Sequence, residues 1–117
     1  MNVYNLKDII RLNQEIGENG HLINRSGIEF ALDRIHKEKS WLRQAAMIVR
    51  ALICDHAFQD GNKRTALMFA IGMFEIEGWE YDPQILVNSV HAVSRKNIVD
   101  ISKIERLLKN ALVRKIH

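Results

Sequence analysis

The sequence is poor in the residues that staple or interrupt a chain: among 117 residues it has one cysteine, Cys54, and one proline, Pro83. A lone thiol excludes an internal disulfide and fits a reducing compartment better than a secreted scaffold. A single proline leaves most of the chain free to be helical. Long hydrophobic runs are missing too. The longest, Ala66 to Phe74, covers nine residues, well short of the roughly 20 that a membrane-crossing helix needs. Met1 to Arg11 shows no basic-then-apolar leader pattern, so the expected location is cytoplasmic, with no membrane contact. With no internal repeat, low-complexity tract or Pro/Ser-rich linker, the expectation is one domain over residues 1–117.

Charge of one sign is also scarce. Lys and Arg number 17 against 14 Asp and Glu. The excess is uneven, because Arg95 to His117 holds seven basic residues and two acidic ones. Such a block could attract phosphates or an acidic partner. It lacks interleaved aromatics and any groove-reading motif, so it reads as the solvated face of a terminal helix, and direct nucleic-acid binding is not expected.

What is present is mostly helical periodicity. Asn5 can cap a first helix with Leu6, Ile9, Ile10 and Ile16 near one stripe, and Gly17 is a suitable stop. Glu18 to Gly27 breaks the pattern, with the turn signal Asn19-Gly20, and reads as a loop or small hairpin. Ser26 with Glu29 forms a capping box for a second helix carrying Ile28, Ala31, Leu32 and Ile35. From Trp41 to Cys54 only Arg43, Gln44 and Arg50 are polar, so this helix should be enclosed on most sides. Thr65 to Ile76 is apolar nearly all round and stops at Gly78. Trp79 to Tyr81 reads as extended, Asp82-Pro83 starts a short helix to about Val93, and Ser102 with Glu105 caps a last helix, starting there or at Asp100, whose buried side runs through Leu112. The fold class is therefore all-α, a compact bundle around a buried central helix pair with a short loop or β-hairpin flap.

Between the two buried helices lies a polar loop, Asp55-His56-Ala57-Phe58-Gln59-Asp60-Gly61-Asn62-Lys63-Arg64-Thr65. Packing does not call for His, two Asp, Asn, Lys and Arg in eleven residues, and the concentration argues for a site. Gly61 permits a left-handed backbone, so the N–H groups of residues 61 to 64 can converge on an anion at a helix start. Lys63 and Arg64 add charge, and phosphate is the natural ligand. Asp60 is a hard oxygen donor suited to Mg²⁺, which often takes only one or two carboxylates beside the substrate's phosphates. His56 can take a proton from an incoming hydroxyl, and Phe58 would turn inward as the loop's anchor. Proton removal, a bridging cation and a donor-rich cradle are the parts of phosphoryl or nucleotidyl transfer.

These residues resemble the Fic/Doc (Fido) signature, His-x-Phe-x-Asp/Glu-x-Asn-x-Arg, and lie closest to its Doc (death-on-curing) branch. The resemblance implies an ATP-using (or other NTP-using), Mg²⁺-dependent transferase acting on a hydroxyl of a protein target. It makes His56 the general base, Phe58 the anchor, Asp60 the Mg²⁺ ligand, and Asn62 and Arg64 phosphate contacts. Fic proteins that transfer AMP typically carry Gly where this chain has Lys63 and a second Arg where it has Leu67. Both departures point to the Doc-like outcome, γ-phosphate transfer by the toxin of a toxin–antitoxin pair, with a translation factor as a first target class. Gly61 is the Fic-like residue and keeps AMP transfer as the alternative, and a non-enzymatic basic binding module is a second one. In the family a flap docks the target as an added strand, which would make Leu22 and Ile23 target-facing. The family's inhibitory sequence, Ser/Thr-x-x-x-Glu-Gly/Asn, is not matched at Glu18-Asn19 or Glu77-Gly78, so the resemblance implies control by a separate antitoxin protein.

Other candidates read as structural. His21, His36, His91 and His117 lack metal spacing and are surface residues, His21 excepted if the flap is real. Cys54, Met47, Met68 and Met73 are core filler, Trp79 and Tyr81 are core anchors, and Asp55 stays outside the site.

Overall fold

The computed structural model describes residues 4–116; the reading of His117 as a surface residue falls outside them. Six helices and two short strands follow in order: α1 (Leu6–Glu15), α2 (Arg25–Ile35), α3 (Trp41–Ile53), α4 (Asn62–Ile76), β1 (Trp79–Tyr81), α5 (Pro83–Arg95), α6 (Ile101–Asn110) and β2 (Leu112–Lys115). The all-α expectation holds, with a small antiparallel sheet added.

Helix α3 is the hub, packing most extensively on α4 and α6. Ten of its thirteen residues are buried, as its narrow polar stripe requires. That stripe is less wet than its composition suggests. Gln44 is buried and donates from Nε2 to the carbonyls of Ile35 and Glu38, satisfying the end of α2. Arg43 leans the other way, pairing with Glu38 at 3.5 Å and Glu105 at 3.0 Å, and so ties α3 to α6. Helix α4 is the second member of the central pair. Phe69 and Phe74 are fully buried, Tyr4 meets Phe69 edge-on at 4.7 Å, and Trp41 and Tyr81 flank Phe74. Its solvent side is more apolar than a core role explains: Met68 is 40% exposed. Met68 is therefore not core filler, whereas Met47 and Met73 are.

Helix boundaries show where local signals give way to tertiary ones. Asn5 and Asp8 form a reciprocal capping box on α1. For α2 the cap is Asn24, not Ser26: Asn24 Oδ1 accepts from the Gly27 N–H while its Nδ2 donates to the Asp55 carbonyl at 2.7 Å. That second bond reaches the loop after α3, which Ser26 does not. Asp100 caps α6 through the Lys103 N–H, making it the earlier of the two expected starts.

The chain's end departs from expectation. Leu112 does not continue α6. The helix stops at Asn110, and Leu112–Lys115 pairs antiparallel with Trp79–Tyr81, Trp79 opposite Lys115 and Tyr81 opposite Leu112. Tyr81 is packed on the core, as expected of an anchor, while Trp79 is half-buried beneath the Lys115 ammonium. No helix among the described residues is long and apolar enough to cross a membrane.

Candidate active-site loop

The loop from Cys54 to Gly61 is shaped before any side chain chemistry is added. His56 has φ +49°, an uncommon conformation for a residue with a Cβ, and Gly61 has φ +79°. Between them Phe58 is buried and bridges Leu22 in antiparallel fashion. The expected inward anchor is therefore in place.

The segment before α2 runs beside this loop as a loop with one bridge, not as a hairpin. The N–H groups of Ile23 and Asn24 both donate to the Ala57 carbonyl, at 2.9 and 3.2 Å, and the Gln59 N–H donates to the His21 carbonyl at 3.0 Å. Leu22 packs against the core and Ile23 is 58% exposed. Of the two flap residues, only Ile23 is turned outward.

Two asparagines hold the motif. Asn62 spends its amide inside the loop, Oδ1 accepting from the Phe58 N–H and Nδ2 donating to the Phe58 carbonyl, both at 2.9 Å. Its side chain is a clamp, so any contact with phosphate falls to its backbone N–H. The second is Asn13, which the sequence reading did not single out. Its side chain is fully buried; Nδ2 donates to the Asp60 carbonyl at 3.0 Å and Thr65 Oγ1 at 3.1 Å, and Oδ1 accepts from the Gly20 N–H at 2.9 Å. One amide thus joins α1, the flap, the motif loop and α4. The signal was available: Asn13 stands between Ile9 and Ile16 on the apolar stripe of α1, where a polar side chain needs a buried partner.

Helix α4 begins differently from the other five. Asn5, Asn24, Ser40, Asp82 and Asp100 each accept from a first-turn N–H, but α4 starts at Gly61 with no side-chain cap. The first helical bond runs from the Thr65 N–H to the Gly61 carbonyl. The N–H groups of Asn62, Lys63 and Arg64 have no hydrogen-bond partner among the described residues, and the positive end of the helix dipole points the same way. An alanine at 61 would meet more than backbone strain, since its Cβ would lie 2.6 Å from Glu18 Cγ.

The charged side chains around this point are exposed and unengaged. His56, Asp60, Lys63 and Arg64 are all exposed, and none makes a side-chain hydrogen bond or ion pair among the described residues. Lys63 and Arg64 border a cavity of about 340 Å³ whose other walls are Leu67, Val87, Val90 and His91. No group of three or more His, Cys, Asp or Glu placed to hold a metal ion together occurs among the described residues. A cation here would have Asp60 as its protein carboxylate and would complete its shell from phosphate and water, a donor set suited to Mg²⁺.

Cys54 is not a competing nucleophile. It is half-buried, its thiol donates to the Ile98 carbonyl at 3.2 Å, and burial pushes its pKa up. Asp55 stays out of the loop's polar group; its carbonyl holds Asn24 and its carboxylate faces the α2–α3 side.

The motif loop thus brings together an uncapped helix start on a buried helix pair, a flap bridged to Phe58 and an exposed His56. The Fic/DOC family model matches residues 4–73, from the start of the described chain through most of α4, and the chain belongs to that family. A comparison with curated proteins returns no match. Members of the family are typically transferases acting on proteins, which supports a Fic-type protein-modification function in general.

Proposed function

We propose that this protein is a Doc-like phosphotransferase, moving the γ-phosphate of ATP or another NTP to a Ser or Thr hydroxyl of a target protein. The observation that carries this reading is the uncapped start of α4, with N–H groups at 62 to 64 that have no partner among the described residues, on the same motif as the exposed Lys63, Arg64 and His56. In the reaction the target oxygen bonds to the γ-phosphorus, the bond from that phosphorus to the bridging oxygen breaks, and the nucleoside diphosphate leaves. His56 takes the hydroxyl proton. The backbone N–H groups and Arg64 stabilise charge on the phosphoryl oxygens, donors already aimed before reaction. Asp60 would hold Mg²⁺, which when bound neutralises phosphate charge. Asn62, Asn13 and Phe58 keep the loop in shape.

Lys63 and Leu67 support phosphate over AMP transfer. Both border the cavity at the start of α4, where Lys63 occupies charge space and Leu67 adds an apolar wall in place of a second guanidinium. At Gly61 a Cβ would lie 2.6 Å from Glu18 Cγ at a positive φ, so local packing accounts for this glycine without reference to the group moved. Within the C-terminal basic block, Arg114 pairs with Glu80 and Lys115 donates to the Glu77 carbonyl. A toxin's role in the cytoplasm, restrained by a separate antitoxin, completes the proposal.

The test uses α- and γ-labelled ATP with candidate targets, translation factors first. Label from γ alone, lost in His56→Ala with the fold intact, is the expected result. Label from α would overturn phosphate transfer in favour of AMP transfer. Labelling unchanged by His56→Ala would overturn the role of His56.

A further inference from the structure

A second hollow, of about 590 Å³, lies between α2 and α3 and shares no lining residue with the cavity at Lys63. Its walls are apolar where Phe30, Ala31, Met47, Ala51 and Ile101 meet. Phe30 is 62% exposed, an unusual setting for an aromatic, and the Arg34 guanidinium sits 5.6 Å from its ring centre.

The polar groups here are unbalanced. Arg50 Nε is buried and has no hydrogen-bond partner, and the Arg50 guanidinium forms no ion pair among the described residues. Arg43, seven residues earlier on the same helix, has two carboxylates. Asp55 lines the same hollow without pairing with Arg50, and it is packed instead against Gly27, where a Cβ would come 3.0 Å from Asp55 Oδ2. Two guanidiniums and one carboxylate thus line the hollow together with its apolar walls. Burying a guanidinium N–H without an acceptor is costly, and a ligand that brings an acceptor removes that cost. The volume suits a single small molecule, falling inside the ordinary range for ligand pockets of roughly 300–1,000 Å³.

We infer that this hollow binds a small amphiphilic organic anion. Its carboxylate, phosphate or sulfonate head accepts from Arg50 Nε–H, with Arg34 at the mouth, and its apolar body lies on Phe30, Ala31 and Met47. Bound there it abuts Asp55, the residue before His56, whose carbonyl is held by Asn24. The site is separate from the phosphate cradle and does not depend on which group the cradle transfers.

The probe is anilinonaphthalene sulfonate, which carries a sulfonate head on aromatic rings, compared with the uncharged phenylnaphthylamine. The expected result is saturable binding to one site on the native protein, weaker for the uncharged probe by at least about tenfold. Arg50→Met keeps the length of the side chain and removes the charge; it should cost similar affinity while circular dichroism and the unfolding transition stay native. Arg34→Glu, at an exposed position, puts a repelling charge at the mouth and should weaken binding without touching the core. Mg-ATP in excess should leave the probe bound. Equal affinity in wild type, Arg50→Met and Arg34→Glu would overturn the inference, as would absence of saturable binding. Displacement by ATP with Arg50→Met unaffected would place the probe in the phosphate cradle and overturn it too.

Discussion

Replacing Asn13 with Ala removes a side chain that joins α1, the flap, the motif loop and α4. Three hydrogen bonds disappear, and the Asp60 carbonyl and Gly20 N–H, both part-buried, lose the partner the amide supplied. Thr65 Oγ1 loses the amide donor from which it accepts. Lost bonds and orphaned groups together put the destabilisation at about 3 kcal/mol, a large share of a typical domain's stability of 5–15 kcal/mol. For a chain of this length that corresponds to a fall in Tm of about 12 °C. Urea and thermal unfolding measure it directly, and transfer activity assayed well below the new Tm should also drop because the backbone at Asp60 is released. Asn13→Asp separates the causes. It keeps an acceptor for Gly20 but turns an oxygen on the Asp60 carbonyl, so at neutral pH it should be no better than Ala, and acidification, which returns a donor, should recover part of the loss. A change below about 0.5 kcal/mol in Asn13→Ala, the usual range for surface substitutions, would refute the claim that this amide organises the site.

Further expectations follow from neighbouring contacts. Gly61→Ala should destabilise by about 2 kcal/mol, since it adds a Cβ at φ +79° against Glu18; in Gly61→Ala with Glu18→Ala, calorimetry should show the steric part recovered and the backbone part retained. Asn62→Asp keeps an acceptor for the Phe58 N–H and sets a carboxylate against the Phe58 carbonyl; a loss of about 1–2 kcal/mol in denaturant titration is expected, together with a larger fall in transfer rate than in target affinity. Cys54, with its pKa raised by burial and its thiol donating to Ile98, should alkylate far more slowly at pH 8 in the folded protein than in urea. Equal rates would show the thiol to be open and activated.

Sequence periodicity carried the helices because their apolar stripes are local facts. Trp41 to Ile53 needs no distant information to read as enclosed, and the loop from His56 to Thr65 stands out because its polarity interrupts two apolar segments. What was hidden depends on pairs far apart in the chain. Asn24 outcompetes Ser26 as a cap because it also reaches Asp55, 31 residues on. Leu112 fits the stripe of α6 equally well as helix or strand, and its pairing with Tyr81 decides the matter. Within the site, residue types announced the chemistry, but not that Asn62 faces inward or that Asn13 supports the loop, since both depend on which carbonyls the fold brings within 3 Å.

The uncapped start of α4 has a consequence for how this protein can vary and how it can be disabled. An anion held by the N–H groups of residues 62 to 64 is held by atoms that every amino acid except proline possesses. Truncating the side chains of Lys63 and Arg64 would trim the charge around the cradle but leave its inner donors in place, so alanine scanning would understate the cradle's share of binding. Lys63→Pro removes one of those donors in the first turn of the helix, where a proline ring is accommodated without breaking later bonds. Such a backbone substitution reaches the part of the site which side-chain changes leave intact.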